Sequence, residues 1–262
     1  MADKTPFPLI FALWGTFFGV AFAVLAWLGR PLALSLGLPA LFATHAIYMA
    51  RFALYLSARL RALPDEGAQP PFSLLQILRD HVTIYRSARI SAAAAGWLFY
   101  TFSFVSILTV LPPYMTNEVR TLIMGAMPLT SIAVSMTFGV ALLRLISAVQ
   151  VVEIGFALSA LCMIWLWIVP GAPLACIALA GSMGLIQGAS FAAVPQLNAV
   201  PATQAQANGA MAQMGNIGNT IGTPITAAAL ARIGYAALPL LAGIAFVGGL
   251  TIHLALGVLR KE

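Results

Sequence analysis

Side-chain amides and glycines recur at helical spacing in two apolar segments of this chain, residues 181–198 and 207–224. The segments read GSMGLIQGASFAAVPQLN and ANGAMAQMGNIGNTIGTP, and neither contains a charged residue. A helix that faced only hydrocarbon would gain nothing from an amide such as Gln187, so these groups are expected to face neighbouring helices or a wet cavity. Amides form hydrogen bonds with a solute and leave its covalent bonds intact. The pattern therefore predicts reversible binding along a transport pathway.

In the second segment the polar residues and the glycines separate onto different faces of a helix, at about 100° per residue. The polar stripe consists of Gln213, Asn216, Thr220 and Thr223. The opposite face carries Gly215, Gly218 and Gly222. Glycines allow close helix packing, so the polar stripe is interpreted as facing a central cavity. Bonding between adjacent helices is the alternative for the amides, and Asn219, nearer the glycine face, is interpreted as structural.

Three further residues complete the candidate site. The first segment has its own track of glycines, namely Gly181, Gly184 and Gly188. Gln187 lies beside this track and calls for a polar partner at mid-span. Tyr100 is the preferred solute contact in an aromatic segment nearer the N-terminus, and packing is the alternative for its neighbours. Glu153 is the sole carboxylate inside a predicted span and is a candidate for proton coupling. Alternatively, it pairs with Arg144, about nine residues or roughly 13 Å away along a helix, or reaches water.

The sequence gives no support for catalysis, cofactor binding, metal binding or nucleic-acid binding. There are no paired carboxylates, no phosphate-binding loop and no nucleophile elbow, so no catalytic residue and no cofactor are predicted. His45, His81 and His253 are too dispersed for a metal site, and the two cysteines lie inside apolar spans. The net charge of +6 comes from 13 basic residues scattered between apolar segments, which is not the pattern of a nucleic-acid-binding patch.

The composition predicts an all-α integral membrane protein. Of the 262 residues 61% are hydrophobic and 8% are charged, and the mean hydropathy is +0.96. About 20 apolar residues are needed to cross a bilayer, and eight segments reach that length. Their approximate bounds are 6–29, 32–57, 91–115, 121–143, 147–169, 172–197, 207–231 and 236–258. The first is too long for the core of a signal peptide and is expected to remain as a span.

The basic residues predict the orientation. With the N-terminus in the cytoplasm, ten of the 13 lie on or near the inner side, and Arg30, Arg120 and Arg232 lie outside. This bias places both termini in the cytoplasm. The long connection 58–90 is then cytoplasmic as well. Within it, Leu74, Leu78 and Val82 recur at a spacing of four residues, which predicts an amphipathic helix on the inner leaflet; a solvated linker is the alternative.

Three segments resemble the C-terminal half of bacterial major facilitator superfamily transporters. Residues 96–112 (GWLFYTFSFVSILTVLP) resemble the seventh helix of that family, residues 184–198 the tenth and residues 207–224 the eleventh. The resemblance implies that the chain corresponds to helices five to twelve, with the first four missing. It implies three parts: two spans in 1–57, a cytoplasmic loop with an amphipathic helix in 58–90, and a six-helix domain in 91–262.

The family resemblance implies secondary transport of a small solute, with efflux as the expected direction, in a bacterial inner membrane. The turn FGVALLRLIS keeps Gly139 and Arg144 but lacks the aspartate of the family's short cytoplasmic turn. The salt bridge by which such a turn usually holds one conformation is therefore not expected here. The alternative is a non-transporting fragment or interaction subunit. Because transporters of this kind rock two six-helix halves about a central site, a partner half or a second copy is expected opposite the polar stripe.

Overall fold

The computed structural model describes residues 20–21, 23–60 and 73–260. These residues are helical apart from short connections, and they contain no strand. The helices in chain order are α1 (Arg30–Leu60), α2 (Leu74–Arg86), α3 (Ser91–Val110), α4 (Asn117–Leu143), α5 (Ala148–Ile168), α6 (Pro173–Leu197), α7 (Pro201–Ile233) and α8 (Ala237–Leu259). A π-helical segment, Leu25–Gly29, leads into α1, and a second, Ser135–Gly139, lies within α4.

Local sequence explains where these helices begin and end. Ser147 and Gln150 form a capping box at the start of α5, in which each side chain accepts a hydrogen bond from the other's backbone N–H. Prolines open α6 and α7 at the first helical position, where a missing N–H costs nothing. Gly171, between α5 and α6, and Gly234, after α7, both have a φ of 67°, a value that favours glycine.

Within the described residues, six helical stretches are long and apolar enough to cross a membrane. One of them, Pro201–Leu259, consists of the two helices α7 and α8. The chain is therefore an all-α, multi-pass membrane protein, as its composition predicts. The first predicted span, 6–29, lies for the most part outside the described residues.

The turn between the first two predicted spans is not at Arg30. Arg30 has helical backbone angles, and the helix continues through it to Gly37, where φ is 83° and ψ is 166°. Here the chain bends back, since Leu41 lies beside Gly29. Gly37 tolerates this positive φ, and Pro39, which has no N–H, suits the first turn of the helix that follows the bend. The charge of Arg30 suggested a loop, whereas backbone chemistry places the break seven residues later.

Helices α3 to α8 form one bundle. Helix α3 packs along α7 on one side and along α8 on the other, and it also contacts α6. Helix α8 continues onto α5, α5 onto α6, and α6 onto α4. The rings of Phe156 and Phe246 meet inside the bundle at 6.4 Å, and both side chains are fully buried. Helix α1 has no buried residue, and the segment before it reaches the bundle where Trp27 packs against Gly125 of α4.

The amphipathic segment of the long connection is helical, as its periodicity predicts. Helix α2 begins after Ser73, whose hydroxyl accepts a hydrogen bond from the Gln76 N–H. It has no fully buried residue, and Leu74, Leu78 and Val82 are exposed. It contacts the bundle at α3 and α7. One side of its apolar face thus meets protein, while the remainder stays available to lipid.

Candidate solute cavity

A cavity of about 450 Å³ lies between α3, α6 and α7. Its aromatic wall consists of Trp97, Tyr100, Phe104 and Phe191. Its amide groups are those of Gln187, Asn208, Asn216 and Asn219. None of its lining residues is charged. Such a surface, mostly apolar with a few convergent polar groups, suits a small uncharged solute.

The aromatic residues of α3 stack in a column along the helix. The rings of Trp97 and Tyr100 are 4.6 Å apart and inclined by 20°, and Tyr100 stacks on Phe104 at 5.5 Å. Phe191 of α6 meets Trp97 edge-on at 5.1 Å. Trp97 and Tyr100 are only 5% and 3% exposed, so the neighbouring side chains leave little room for their rings to turn. The spacing of these rings follows the helical period, which places them on one face.

Gln187 connects three helices as well as lining the cavity. Its Oε1 accepts hydrogen bonds from the hydroxyls of Tyr100 and Ser131, both at 3.4 Å. The side chain is 6% exposed. The structure thus combines the two interpretations left open by the sequence, since one amide bonds neighbouring helices and faces the cavity. Tyr100, the other candidate from the sequence, reaches the same place from α3.

The cavity face of α7 is rotated from the predicted stripe by roughly a quarter turn. Asn216 lines this cavity, and Asn208 and Asn219 line it with Asn216. Asn219 therefore lines the cavity, whereas the sequence suggested only a structural role for it. The cause is the close approach of α3 to the glycine face, which draws the cavity toward that face. The Asn208 Oδ1 atom is buried and has no hydrogen-bond partner among the described residues, which leaves an acceptor for a solute.

The other members of the predicted stripe lie outside the cavity lining. The Thr220 hydroxyl donates to the Asn216 backbone carbonyl at 2.7 Å, an internal bond of α7. The Thr223 hydroxyl oxygen is buried, and no described residue bonds to it. Gln213 turns toward α2. A helical wheel assigns residues to a stripe but cannot say which neighbour the stripe meets.

Two residues of α2 form hydrogen bonds with the side chain of Gln213. The His81 Nδ1–H donates to the Ile77 carbonyl at 2.7 Å, so Nε2 accepts from the Gln213 amide N–H, at 2.8 Å. The Tyr85 hydroxyl donates to Gln213 Oε1 at 3.0 Å. Partial burial raises the pKa of Tyr85, so its hydroxyl remains a donor. The amphipathic helix is thereby joined to α7 within one turn of Asn216.

Removing these two hydrogen bonds is expected to weaken the attachment of α2 to α7. In the Gln213→Leu variant both hydrogen bonds are lost, and backbone amide exchange of α2 is expected to rise about tenfold, equivalent to roughly 1.4 kcal/mol. Hydrogen–deuterium exchange measures this change. Gln206→Leu is the matched control, because Gln206 is on the same helix and makes no side-chain hydrogen bond within the described chain. Equal exchange of α2 in the two variants would show that these hydrogen bonds contribute nothing to the stability of α2.

The six glycines singled out by the sequence all lie at helix contacts. In α6, Gly181 faces Val134, Gly184 faces the backbone of Ser131, and Gly188 faces Ser135, all in α4. The glycines of α7 face α3 at these contacts: Gly215 at Trp97, Gly218 at Thr101 and Gly222 at Phe102 and Ser106. A side chain at these positions would occupy space already filled by the neighbouring helix. The glycines therefore set the distance between the helices that enclose the cavity.

Glu153 lies on α5 and is not part of the cavity lining. Its electrostatic partner is Arg260, directly after α8, whereas the sequence suggested Arg144. Arg144 is closer along the chain, but α5 and α8 pack together and place Arg260 within electrostatic range of the carboxylate. No group of three metal-ligating side chains occurs within the described residues.

Comparison with known proteins identifies the fold. No family model and no curated protein matches the sequence of this chain. Among solved structures, the chain is similar to that of FucP, a major facilitator superfamily transporter in the outward conformation. The TM-score is 0.69 with 14% sequence identity, over 97% of this chain and 69% of that chain. The chain therefore has the fold of a major facilitator superfamily transporter, as the three sequence segments indicate.

Proposed function

We propose that this chain takes part in secondary transport of a small uncharged solute, bound in the cavity between α3, α6 and α7. The observation that carries the proposal is a 450 Å³ cavity with four amides, an aromatic wall and no charged lining residue, on a transporter fold. The sequence resemblance assigns these three helices to the seventh, tenth and eleventh of the family. Binding at the interface of helices is the usual arrangement in secondary transporters.

The proposal also covers the orientation of the chain in the membrane, the direction of transport and the division of the chain into parts. The excess of basic residues on one side supports cytoplasmic termini in a bacterial inner membrane, with 58–90 as a cytoplasmic loop between 1–57 and 91–262. The mostly apolar lining suits solutes that partition into lipid, which supports efflux. No residue of the cavity is proposed to do bond-breaking chemistry.

A second candidate function is that of an interaction subunit whose polar surface completes a site with another bundle. The observation that favours it is the exposure of polar side chains on the outside of α7, of which Asn216 makes no side-chain hydrogen bond within the described residues. Such groups are costly next to lipid. A second copy or a separate partner half would cover them. The two candidates share the same cavity and differ in whether the chain transports alone.

Solute binding tests the proposed function. Benzamide, benzoate and benzamidine share one ring and differ in charge, so thermal unfolding with each of them compares charge at constant size. We expect benzamide to raise the Tm of the purified protein most. A ligand at 100 times its Kd stabilises by about 2.7 kcal/mol.

Cavity variants locate the binding. The double variant Asn216→Leu and Asn219→Leu is expected to lose the benzamide effect. Thr220→Val, one turn beyond Asn216 and outside the lining, is the control and is expected to keep it. Equal or greater stabilisation by the charged compounds, or none by benzamide, would contradict the proposal. Uptake of radiolabelled benzamide into proteoliposomes then measures transport.

A further inference from the structure

His253 of α8 is a fully buried ionisable residue that the solute cavity does not use. Its side chain is 0% exposed, and neither ring nitrogen has a hydrogen-bond partner among the described residues. The ring lies 5.9 Å from that of Phe156 on α5, and its Nε2 lies directly against Gly96 of α3. An apolar side chain would fill this position without leaving two polar atoms unpaired. An ionisable group inside a membrane bundle is a candidate functional site.

Charged groups lie between His253 and the cytoplasmic end of the bundle. Glu153 lies one turn before Phe156 on α5, and Arg260 lies two turns beyond His253 on α8. Arg260 interacts electrostatically with His253, with Glu153 and with Arg89, just before α3. Its Nη1 also donates to the Ala88 carbonyl at 3.3 Å. Within the described chain, Glu153, Arg260 and Arg89 are the charged residues on, or directly next to, the three helices α3, α5 and α8 around the histidine.

The histidine also lies directly behind the wall of the solute cavity. Gly96, which its ring contacts, is followed in α3 by Trp97 of the aromatic wall. On its far side Trp97 approaches Gly215 of α7, where an added Cβ would lie 2.8 Å from Nε1. A change in the volume or charge of the imidazole is therefore transmitted to the cavity through one residue of α3.

We propose that His253 binds and releases a proton, and that its charge state sets the position of α3 and so the shape of the cavity. This proposal rests on the proposed function. The unprotonated ring nitrogen forms an N–H bond with a proton from a hydronium ion of the cytoplasmic water, whose O–H bond breaks and which leaves as water. The resulting imidazolium carries two N–H donors and a charge in a slot without an acceptor. Helix α3 then moves away from the ring, which opens the slot to water as an acceptor for the two N–H donors.

Protonation is tested directly in the wild-type chain in lipid nanodiscs, without added solute. Ring nitrogens are followed by 15N NMR from pH 8 to pH 3.5, with His253→Gln used to assign the signal. Trp97 is followed by 19F NMR after 5-fluorotryptophan labelling, with Trp97→Phe used for assignment. We expect the His253 ring to become an imidazolium in this range and the Trp97 signal to shift with the same midpoint. A ring that stays neutral, or a titration that leaves Trp97 unchanged, would overturn the proposal.

A second measurement separates this proposal from the proposed function. The Kd of benzamide is expected to differ at least about fivefold between pH 8 and pH 3.5 in the wild type, within the usual range of coupling between sites. His253→Gln is expected to bind benzamide with no such pH dependence, whereas His45→Gln, on α1, keeps it. If benzamide fails to bind at any pH, the proposed function fails, and the NMR titration still decides the proton site. Persistence of the pH dependence in His253→Gln would overturn the coupling.

Discussion

Substitution of Gly184 by valine is expected to lower the free energy of unfolding by about 4 kcal/mol, which is near the upper end for a single substitution. Gly184 is buried in α6, and a Cβ there would lie 2.9 Å from the Ser131 Cα and closer still to its carbonyl oxygen. These are backbone atoms of α4, so no side-chain rotation relieves the overlap. The two helices must separate, and Gln187, one turn away, then loses its bond to Ser131. Unfolding in SDS mixed micelles measures the change.

Gly209 provides the matched control for this prediction. It lies in α7, is exposed, and has no atom within 4 Å of the position of an added Cβ. Because alanine favours the helix over glycine by up to about 1 kcal/mol, Gly209→Ala is expected to be neutral or stabilising. A Gly184→Val protein as stable as the wild type would mean that α4 and α6 are not held at the distance seen here.

The contrast between these glycines shows how far sequence alone leads. Spacing on a helical wheel identified Gly184 and Gly218 as packing residues, and both lie against backbone atoms of another helix. The same spacing could not tell which helix would approach, because that depends on contacts far apart in the chain. The cavity face of α7 was accordingly misplaced by roughly a quarter turn.

Long-range contacts explain the other differences. The bonds of Gln213 to His81 and Tyr85 join residues 132 and 128 positions apart, and no local pattern signals them. For Glu153 the sequence offered proton coupling or, as the alternative, pairing with Arg144 or access to water, whereas packing of α5 on α8 places Arg260 within electrostatic range of it. The all-helical fold and the membrane spans, by contrast, follow from hydropathy and length, which are local properties. The bend at Gly37 lies inside the predicted span 32–57, and hydropathy alone does not mark it, because a positive φ at one glycine leaves the apolar pattern unchanged.

The isolated chain is expected not to transport benzamide when it is held as a monomer. In the major facilitator fold, alternating access comes from rocking two bundles about a site between them. Here Asn216 lines the cavity and is also exposed on the outside of α7, so the site is open on one side. Because no second bundle lies opposite it among the described residues, the cavity of a single chain is expected not to exchange access between the two membrane faces. Uptake into proteoliposomes at high lipid-to-protein ratio, with the monomer verified by single-molecule counting, measures this.

Cross-linking identifies what covers the open side. Asn216→Cys is expected to form a disulfide-linked dimer in membranes if a second copy faces it, because the polar stripes of two chains then meet. Ile217→Cys is the control, since this neighbouring residue is exposed on a different face of α7. The native Cys162 and Cys176 are buried and do not compete. Rapid uptake by verified monomers would contradict the requirement for a partner. Without uptake by monomers, a cross-link specific to position 216 would show that the missing wall of the pathway is another copy of this chain.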